Sequence, residues 1–348
     1  MKRSIQESLS TQMKRRTTTP IEKEPKYKGN FKTITSTGST LLNLAISSNV
    51  IRGGGIPGGV LVIAEGPSQS GKTALLCEID GNIVKNGGDD QFHDPEARLG
   101  KEFARIFGAN IKKENYYQPD TVTELFTKVR KWEPKTKNGV VNGIFADSLA
   151  ALSTNLEMEN EEGDKMGGRR GKEFSEQLRK TCRIIKQKNY LMVCSNQLRV
   201  NMDGNKWTPK YYSPGGEALK FYASIRLRFG TPEKIMHSIK IAGKENKKVI
   251  GIKTEIEVIK TDDDPYRKAS IYIIYGYGID DIRANLQYIK DHTDNDIYQV
   301  GKIELDNSIE KSIQMVEKKD LIDELKEEVI NLWETIESKH RTERKPKR

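Results

Sequence analysis

One stretch of this sequence reads Gly66-Pro67-Ser68-Gln69-Ser70-Gly71-Lys72-Thr73, which is the pattern G-x-x-x-x-G-K-T. The run Val60–Ala64, apolar at every position, precedes it, and the residues Ala74–Val84 that follow have the composition of a helix. Such an apolar run is typical of a parallel strand buried between helices. Strand, glycine-rich loop and helix form the context in which this pattern binds nucleotide phosphates. The stretch therefore predicts an α/β domain with a nucleotide site at the carboxyl end of this strand.

The residue types in this loop indicate the ligand. Glycines let backbone N–H groups converge on phosphate oxygens, and the N-terminus of the following helix adds its positive dipole end. Lys72 is expected to place its charge on the β- and γ-phosphates, and the hydroxyl of Thr73 to bind Mg²⁺. We therefore predict ATP and Mg²⁺ as ligands. The predicted contacts to ATP are Gly66, Pro67, Ser68, Gln69, Ser70, Gly71, Lys72, Thr73 and Ala74.

Two carboxylates are candidates for the same site. Asp147 follows the predicted strand Gly143–Ala146, at the end where open α/β sheets bind ligands, and is expected to hold Mg²⁺ partly through water. A strand-ending aspartate that caps the next helix is the alternative. Glu96 lies near the end of another strand and is a candidate to orient or deprotonate water. A surface glutamate that begins a helix fits this position equally well.

Strands and helices alternate along much of the chain. Helices are predicted at Ala97–Phe107, Val122–Trp132 and Gly171–Lys188, and a further buried strand at Tyr190–Ser195. This alternation indicates a doubly wound, mainly parallel sheet. Consecutive strands follow, and their alternating apolar residues indicate half-buried antiparallel strands that extend the sheet. These strands are predicted at Ser224–Phe229, Ile235–Ile241, Val249–Ile259 and Ala269–Tyr275.

Three parts are predicted along the chain. Residues 1–35 form a basic N-terminal arm, a candidate for docking between protomers, with a short helix near Ile5–Met13 or no structure of its own. Residues 36–277 form the core, and residues 278–348 form a small C-terminal module with one amphipathic helix and a basic tail.

Composition narrows the function classes. The 348 residues carry a formal net charge of +10, which favours an anionic partner such as nucleic acid. Three widely spaced cysteines and four scattered histidines argue against structural disulfides and zinc, and predict an intracellular, cytoplasmic protein. Without an apolar run of about 18 residues, no membrane association is expected, and the N-terminus lacks the apolar core of a signal peptide.

Several blocks of sequence, taken in order, resemble the RecA-type homologous recombinases, and most closely their phage-encoded branch. The resemblance covers about residues 36–290. Two of these blocks, Ser195–Arg199 and Gly215–Ser224, are more specific than the phosphate loop, which many ATPases share. The resemblance implies a RecA-like P-loop ATPase core with a mixed, mainly parallel sheet. The blocks are Gly38–Leu42, Gly54–Gly59, Gly66–Thr73, Phe92–Leu99, Asp147–Leu152, Ser195–Arg199 and Gly215–Ser224.

The resemblance implies roles at matching positions of the nucleotide site. Glu96 would activate the attacking water, and the ring of Phe103 would lie against adenine. Gln197 would sense the γ-phosphate and relay its presence to the loop that follows. Without the resemblance, Gln197 is a polar residue at the end of a buried strand, for which a capping role is equally reasonable.

The resemblance also implies contacts between protomers. Lys220 and Phe221 would lie where one protomer touches the nucleotide of the next. Family members usually place two lysines further along the chain to reach the neighbour's γ-phosphate. Here Lys260 is the single good candidate, because the acidic run Thr261–Asp264 follows it.

Two segments become candidates for DNA binding. The segment Asn160–Lys172 combines glycines with cations, and Leu198–Pro214 interleaves cations with aromatic residues. Cations neutralise phosphates, while aromatic or apolar side chains stack on bases or wedge between them. A glycine-rich basic loop without a nucleic-acid role is the alternative. By the resemblance, Met166 would be the apolar wedge of the first segment, and Ser175 and Arg179, on the helix after it, match DNA-contacting positions of the family. The other candidates, in or next to the two segments, are Arg169, Arg170, Lys172, Arg199, Lys206, Trp207, Lys210, Gly215 and Gly216.

Taken together, the sequence predicts an ATP-dependent recombinase that hydrolyses ATP in the presence of DNA. It would assemble into helical filaments on single-stranded DNA and exchange strands with duplex DNA. Two alternatives remain: a ring helicase or clock-like ATPase on the same core, and a DNA-binding mediator that uses ATP only as a clamp. The first is expected to lack the block Gly215–Ser224, and the second would not need intact Lys72, Asp147 and Glu96.

Overall fold

The computed structural model of the chain describes residues 33–136, 139–159, 167–200, 211–212, 216–342 and Arg344. The described residues from Thr33 onward belong to one compact unit. The predicted arm lies outside the described residues apart from Thr33–Thr35, and its predicted short helix lies wholly outside them.

The described strands and helices follow the predicted alternation. The strands are β1 (Ile34–Thr35), β2 (Ile56–Pro57), β3 (Val60–Gly66), β4 (Asp90–His93), β5 (Tyr116–Tyr117), β6 (Asn142–Ala146), β7 (Tyr190–Gln197), β8 (Arg199–Val200), β9 (Tyr211–Tyr212), β10 (Ile225–Phe229), β11 (Glu233–Ile241), β12 (Lys244–Lys260), β13 (Lys268–Ile274), β14 (Gly278–Ile279), β15 (Gln299–Val300) and β16 (Ile303–Glu304). The helices are α1 (Thr40–Ser47), α2 (Lys72–Lys85), α3 (Lys101–Ile106), α4 (Val122–Lys131), α5 (Asn155–Glu159), α6 (Gly167–Gln187), α7 (Gly216–Tyr222), α8 (Asp281–His292), α9 (Ile309–Lys318) and α10 (Ile322–His340).

One ten-stranded mixed sheet runs through the molecule in the order β14-β13-β12-β10-β3-β7-β6-β4-β5, with β11 paired to β12. Neighbouring strands from β10 to β5 are parallel, and β12, β13 and β14 extend the sheet antiparallel. The strand β10 marks the change, because it is parallel to β3 and antiparallel to β12. The predicted α/β fold with a mixed, mainly parallel sheet is confirmed.

The strand that leads into the phosphate loop lies at the centre of the sheet. All seven residues of β3 are buried. Leu61 and Ile63 pack in the apolar layer of α4, α6 and α7, whereas Val62 and Ala64 pack in the layer that includes α1 and α2. Covering on both faces explains the unbroken apolar run, because a parallel sheet between two helical layers has no solvent-facing side.

Helix α3 is shorter than predicted. The sequence indicated a helix over Ala97–Phe107, but the chain forms a loop before Lys101. Ala97 adopts a positive φ of 53°, and a carboxylate oxygen of Asp94 accepts a hydrogen bond from the N–H of Leu99 at 2.7 Å. This side-chain contact competes with the helix and holds the segment that contains Glu96 as a loop.

Helix α6 is longer than predicted and takes up part of the first candidate DNA-binding loop. The sequence indicated a flexible segment Asn160–Lys172, whereas Gly167 already begins the helix. Phe174 is fully buried against the sheet, and Arg170 donates a hydrogen bond to the carbonyl of Leu152. Both contacts stabilise the start of α6, so its glycines lie in helical turns and not in a loop.

The C-terminal helices share the core of the sheet. Buried residues of α8, α9 and α10, among them Leu286, Val316 and Val329, belong to the same apolar cluster as α1 and α2. The indole N–H of Trp333 donates to the hydroxyl of Ser48 at 3.1 Å. The boundary drawn at residue 278 stays a prediction. Among the described residues, no helix is long and apolar enough to cross a membrane.

Candidate functional site

The phosphate loop connects β3 to α2, and two of its glycines are required by geometry. A Cβ atom on Gly66 would lie 2.6 Å from the Cβ of Phe229 on β10. Gly71 has a φ of 96° and precedes the first residue of α2, and no side chain caps this helix end. The first backbone N–H groups of a helix lack partners within it. The loop therefore presents an uncapped, positively polarised helix terminus that suits phosphate.

Lys72 is folded back into the loop. Its side chain is 8% exposed, and its ammonium group donates hydrogen bonds to the carbonyls of Pro67 at 2.6 Å and Gly66 at 3.1 Å. Burial lowers the pKa of Lys72, while the nearby carboxylates of Asp147 and Glu96 oppose this effect. A buried ammonium between these carboxylates and the loop gives the site its local positive charge.

Asp147, at the end of β6, lies directly beside the start of α2. Its Oδ2 accepts a hydrogen bond from the hydroxyl of Thr73 at 2.5 Å, and its Oδ1 accepts one from Ser195 on β7. Burial raises the pKa of Asp147, whereas the hydrogen bonds from Ser195 and Thr73 oppose the rise. The structure thus brings together the two residues predicted to bind the metal.

The donor set at this point fits Mg²⁺. Among the described residues, no group of three or more His, Cys, Asp or Glu side chains could enclose a metal by itself. Magnesium bound with a nucleotide needs less from the protein, because one or two protein oxygens and the phosphates complete its shell. The Thr73 hydroxyl and the Asp147 carboxylate provide such oxygens beside the phosphate loop.

Glu96 lies across the same cavity. The hydroxyl of Ser148 donates to its Oε1 at 2.9 Å, and the amide nitrogen of Gln197 lies 3.4 Å from the same oxygen. Its Oε2 contacts the exposed guanidinium of Arg98 at 2.8 Å. The carboxylate is 20% exposed, so it faces the cavity in reach of solvent. A cavity of about 450 Å³ is lined by Glu96, Gln197, Asp147 and the loop, which makes these predicted site residues neighbours.

A second cavity of about 520 Å³ shares the phosphate loop with the first. Phe103 on α3 lines both cavities, and its contact with the base stays a prediction. Tyr275, at the end of β13, lines this second cavity and escaped the sequence analysis. The sequence does show a tyrosine followed by Gly276 where a strand ends. The position of Tyr275 beside α2, however, depends on the order of the strands in the sheet. Both cavities therefore adjoin the phosphate loop.

Comparison with known proteins agrees with this geometry. Residues 5–280 match the family of the RecA N-terminal domain. The chain belongs to the RecA family. Two RecA-family proteins, each named Protein RecA, are 34% identical to it: one from Delftia acidovorans over 250 residues, and one from Dichelobacter nodosus over 245 residues. These matches include 71% and 70% of this chain but 63% and 65% of the relatives, so the chain spans just under two thirds of their length.

The residues that the RecA resemblance assigned to a protomer interface lie close together, where the end of α7 meets the end of β12. Phe221 is 76% exposed, and the ammonium of Lys220 pairs with Glu217 at 2.5 Å within α7. The ammonium of Lys260 donates to the carbonyls of Lys220 and Phe221, both at 3.0 Å. Lys260 therefore caps the end of α7 in this structure, and its contact with a neighbouring nucleotide stays a prediction.

The predicted DNA-binding residues are described in part. Lys172, Ser175 and Arg179 follow each other at helical spacing on α6 and share one face of it. Gly216 begins α7, and the backbone of Arg199 pairs with that of Tyr212 in the ribbon of β8 and β9. Arg169 and Arg170 lie in the first turns of α6. Met166, Lys206, Trp207, Lys210 and Gly215 lie outside the described residues.

Proposed function

We propose that this RecA-family chain is an ATP-dependent DNA recombinase. It assembles on single-stranded DNA as a helical filament, pairs that strand with duplex DNA of the same sequence, and exchanges strands. Head-to-tail packing of identical protomers generates open filaments of this kind. Family membership and the arrangement around the phosphate loop both support the proposal.

One observation carries the link between ATP and DNA. Gln197 is the last residue of β7, and its amide lies 3.4 Å from the carboxylate of Glu96. The chain passes from Gln197 directly into the segment that contains the candidates Arg199 to Lys210. A change at the γ-phosphate that moves Gln197 therefore has a direct covalent route to the proposed DNA-binding segment.

The residues of the site have separate roles in hydrolysis. Glu96 orients and deprotonates the attacking water, and the Ser148 hydroxyl holds its carboxylate in place. Lys72 leaves its loop carbonyls for the β- and γ-phosphates, and Thr73 with Asp147 holds Mg²⁺. Mg²⁺ held by these two residues would supply positive charge against the negative charge that develops on the phosphates.

The finer assignments belong to the same proposal. The face of α6 with Lys172, Ser175 and Arg179 contacts the phosphate backbone of the bound strand, while Lys220, Phe221 and Lys260 contact the adjacent protomer. The resemblance of the sequence blocks supports the phage-encoded branch of the family. Such a protein acts in the cytoplasm of the host cell, and its free cysteines, of which Cys77 and Cys194 are buried, suit that compartment.

The decisive experiment is ATP hydrolysis by the full chain with and without single-stranded DNA, paired with negative-stain imaging. We expect turnover to depend on DNA and filaments to appear with ATP and DNA together. Rings in place of filaments would favour a helicase, and ATP binding without hydrolysis would favour a mediator. Strand exchange between a circular single strand and a linear duplex then tests recombination itself.

A pair of matched variants assigns the catalytic carboxylate. Glu96→Gln keeps the shape and removes the base, so turnover should fall about 100-fold or more while ATP still binds and filaments persist. Glu102→Gln alters an exposed glutamate on α3 that pairs with Arg105 and should leave turnover unchanged. Wild-type turnover in Glu96→Gln would refute the assignment.

A further inference from the structure

We infer that the hairpin formed by β11 and the first half of β12, residues 233–253, docks on the adjacent protomer of the filament. Its partner there is the loop 261–267, which follows β12 at the opposite end of the molecule. The inference rests on the proposed function, since it presumes that protomers pack head to tail with a nucleotide between them. The docked hairpin adds a second contact between protomers to that of Lys220, Phe221 and Lys260.

The hairpin extends from the end of the sheet that holds the phosphate loop. Strand β10 runs parallel to β3, with Arg228 opposite Glu65, so both strands end at the nucleotide side. Strand β12 runs antiparallel to β10, with Ile256 opposite Phe229, so it begins beyond the nucleotide side and runs away from it. At the base of the hairpin, Ile252 lines the cavity beside the phosphate loop. The residues before Ile252 therefore extend past the nucleotide site.

The loop 261–267 lies at the opposite end of the same strand. Strand β12 has 17 residues, which corresponds to about 55 Å at roughly 3.3 Å per residue. Its last residue, Lys260, caps α7 and is proposed to reach the neighbour's nucleotide. A protomer that places Lys260 at the nucleotide of its neighbour also brings the loop after Lys260 to the side from which the neighbour's hairpin extends.

The hairpin is uncovered within the described part of the chain. All residues of β11 except Ile235 are exposed, and Met236, Ile239 and Ile241 are 52%, 45% and 59% exposed. Among the described strands, β11 pairs with β12 alone, and β13 joins β12 only from Gly251 onward. A two-stranded hairpin is at best marginally stable in water by itself, and grouped apolar side chains on a surface mark interaction sites. A covering surface would stabilise this hairpin.

One face of the hairpin is cationic as well as apolar. Residues directly opposite each other in an antiparallel pair share a face. Ile241 lies opposite Lys244. Ile239 and His237 follow on the same face, with Lys248 opposite His237. Neither lysine has an acidic partner among the described residues, and this face carries no carboxylate between residues 237 and 248. The face therefore fits a surface that combines an apolar side chain with a carboxylate.

The loop 261–267 presents such a surface. Tyr266 is 69% exposed, and its backbone is held on β12 because its N–H donates to the carbonyl of Val258 at 2.7 Å. Asp262 is exposed and makes no hydrogen bond or ion pair with another described residue. The other two aspartates of the loop pair with Arg267. The ring of Tyr266 and the carboxylate of Asp262 thus complement the isoleucines and lysines of the hairpin.

DNA is the other anionic partner that a cationic hairpin attracts. A phosphate backbone has no apolar surface for Ile239 and Ile241, which share their face with Lys244 and Lys248. The hairpin also extends past the nucleotide site, where the proposed filament places the neighbouring protomer. Both observations favour the protomer as the partner, and charge reversal separates the two.

The test reverses charges on the two sides of the proposed contact. One variant carries Lys244→Glu with Lys248→Glu, a second carries Asp262→Lys, and a third combines all three substitutions. Light scattering measures filament assembly on single-stranded DNA with ATP and Mg²⁺ over a range of protein concentrations. The first and second variants should each need about tenfold more protein for half-assembly, because like charges then meet across the interface. The third restores opposite charges and should assemble within about threefold of the wild type.

A matched control makes the same charge change on the other face of the hairpin. Lys240 and Lys247 lie opposite Glu245 and Ser238, and Lys240→Glu with Lys247→Glu should assemble within about threefold of the wild type. Equal losses on the two faces overturn the inference, as does normal assembly by the first variant. Failure of the combined variant to recover also overturns it and points to DNA as the partner. Absence of filaments from the wild type would instead contradict the proposed function.

Cysteine crosslinking measures the proximity directly. Lys244→Cys and Asp262→Cys in one chain lie at opposite ends of β12, so a short bis-maleimide links them only between protomers. With ATP and single-stranded DNA we expect a ladder of covalent oligomers, and none from the chain with Lys244→Cys alone. A missing ladder, or an equal one from both chains, contradicts the contact. Circular dichroism of all variants confirms that folded proteins are compared.

Discussion

Glu78 shows how a single side chain on α2 ties stability to pH. Burial, and then the charge of Asp281, raise the pKa of Glu78 from 4.5 to about 7. The folded state therefore binds the proton more tightly than the unfolded state does. Between about pH 4.5 and pH 7 the folded protein holds more protons, so its stability falls as the pH rises through this window.

Glu78→Gln removes this titration. The difference in unfolding free energy between the variant and the wild type should therefore favour the variant more at pH 8 than at pH 4. The expected gain is roughly 1 to 3 kcal/mol, since one pKa unit corresponds to about 1.4 kcal/mol. Urea unfolding of both proteins at several pH values measures it. Glu102→Gln, at an exposed position, is the control and should give a difference that is flat with pH. A flat difference for Glu78→Gln as well would contradict the raised pKa.

Ser148 gives a prediction about positioning at the proposed catalytic carboxylate. Its hydroxyl donates to Oε1 of Glu96 at 2.9 Å. A hydrogen bond to a charged group contributes about 1.5 to 3 kcal/mol, so Ser148→Ala should slow DNA-stimulated turnover about 10- to 100-fold with ATP affinity nearly unchanged. Ser148→Thr retains the hydroxyl and should recover much of the rate. Equal loss in both variants would point to packing and not to the hydrogen bond.

At the scale of secondary-structure elements, the sequence predicts those helices, strands and loops that contacts between residues close in sequence determine. The phosphate loop, β3 and α2 are contiguous, so the pattern from Gly66 to Thr73 was sufficient to predict them. The length of α3 was predicted wrongly, because Asp94 binds the N–H of Leu99 and holds a loop where composition favours helix. Tyr275 was missed because the end of β13 is far from α2 along the chain, and only the order of the strands in the sheet brings the two together.

One buried cation links α10 to the loop after β12. Arg267 is 8% exposed and contacts Asp263 at 3.0 Å, Asp264 at 3.3 Å and Glu337 of α10 at 3.1 Å. Although burial raises the pKa of Asp263, its hydrogen bond with Arg267 is among those that hold the pKa below the ordinary value. The guanidinium therefore keeps a buried carboxylate charged where α10 meets the loop after β12.

Arg267→Met should destabilise the protein by about 3 to 5 kcal/mol, because it leaves Asp263 buried without its counter-ion. Urea unfolding near neutral pH is the measurement. Lys268→Met is a matched control: the neighbouring residue pairs with Glu255 at 2.8 Å, but both side chains are more than half exposed. Its loss should change stability by less than about 1 kcal/mol. Similar losses in the two variants would show that the cluster does not hold α10.

At the scale of the whole molecule, the excess of positive charge indicates which kind of partner the protein binds. The net charge of +10 favours an anionic partner, but charge alone does not identify where that partner binds. The order of the sheet locates the nucleotide site instead, because it brings Lys72, Asp147, Glu96 and Gln197 together at the ends of parallel strands. Contacts between protomers cannot be derived from a single chain. The predicted contact of Lys260 with a neighbouring nucleotide therefore rests on the resemblance alone.

The basic segment 339–348 leads to a prediction for the assembled protein. It contains Lys339, Arg341, Arg344, Lys345, Lys347 and Arg348 against a single glutamate. We expect these cations to strengthen binding to duplex DNA through release of counterions, which makes the affinity depend on salt. Each phosphate neutralised contributes about 0.9 to the slope of log K against log salt concentration. Removing residues 339–348 should therefore make this slope shallower by about 2 to 5.

Fluorescence anisotropy with a labelled duplex, titrated at several salt concentrations, measures the slope for the full chain and the shortened chain. Because Arg341 also donates to Asn49, stability of the shortened chain must be compared by urea unfolding. Replacing the six cations by glutamine keeps the length and separates charge from the loss of chain. If charge is the cause, both altered proteins give the same shallower slope, while DNA-independent ATP binding stays as in the full chain. An unchanged slope would mean that duplex binding depends on the core alone.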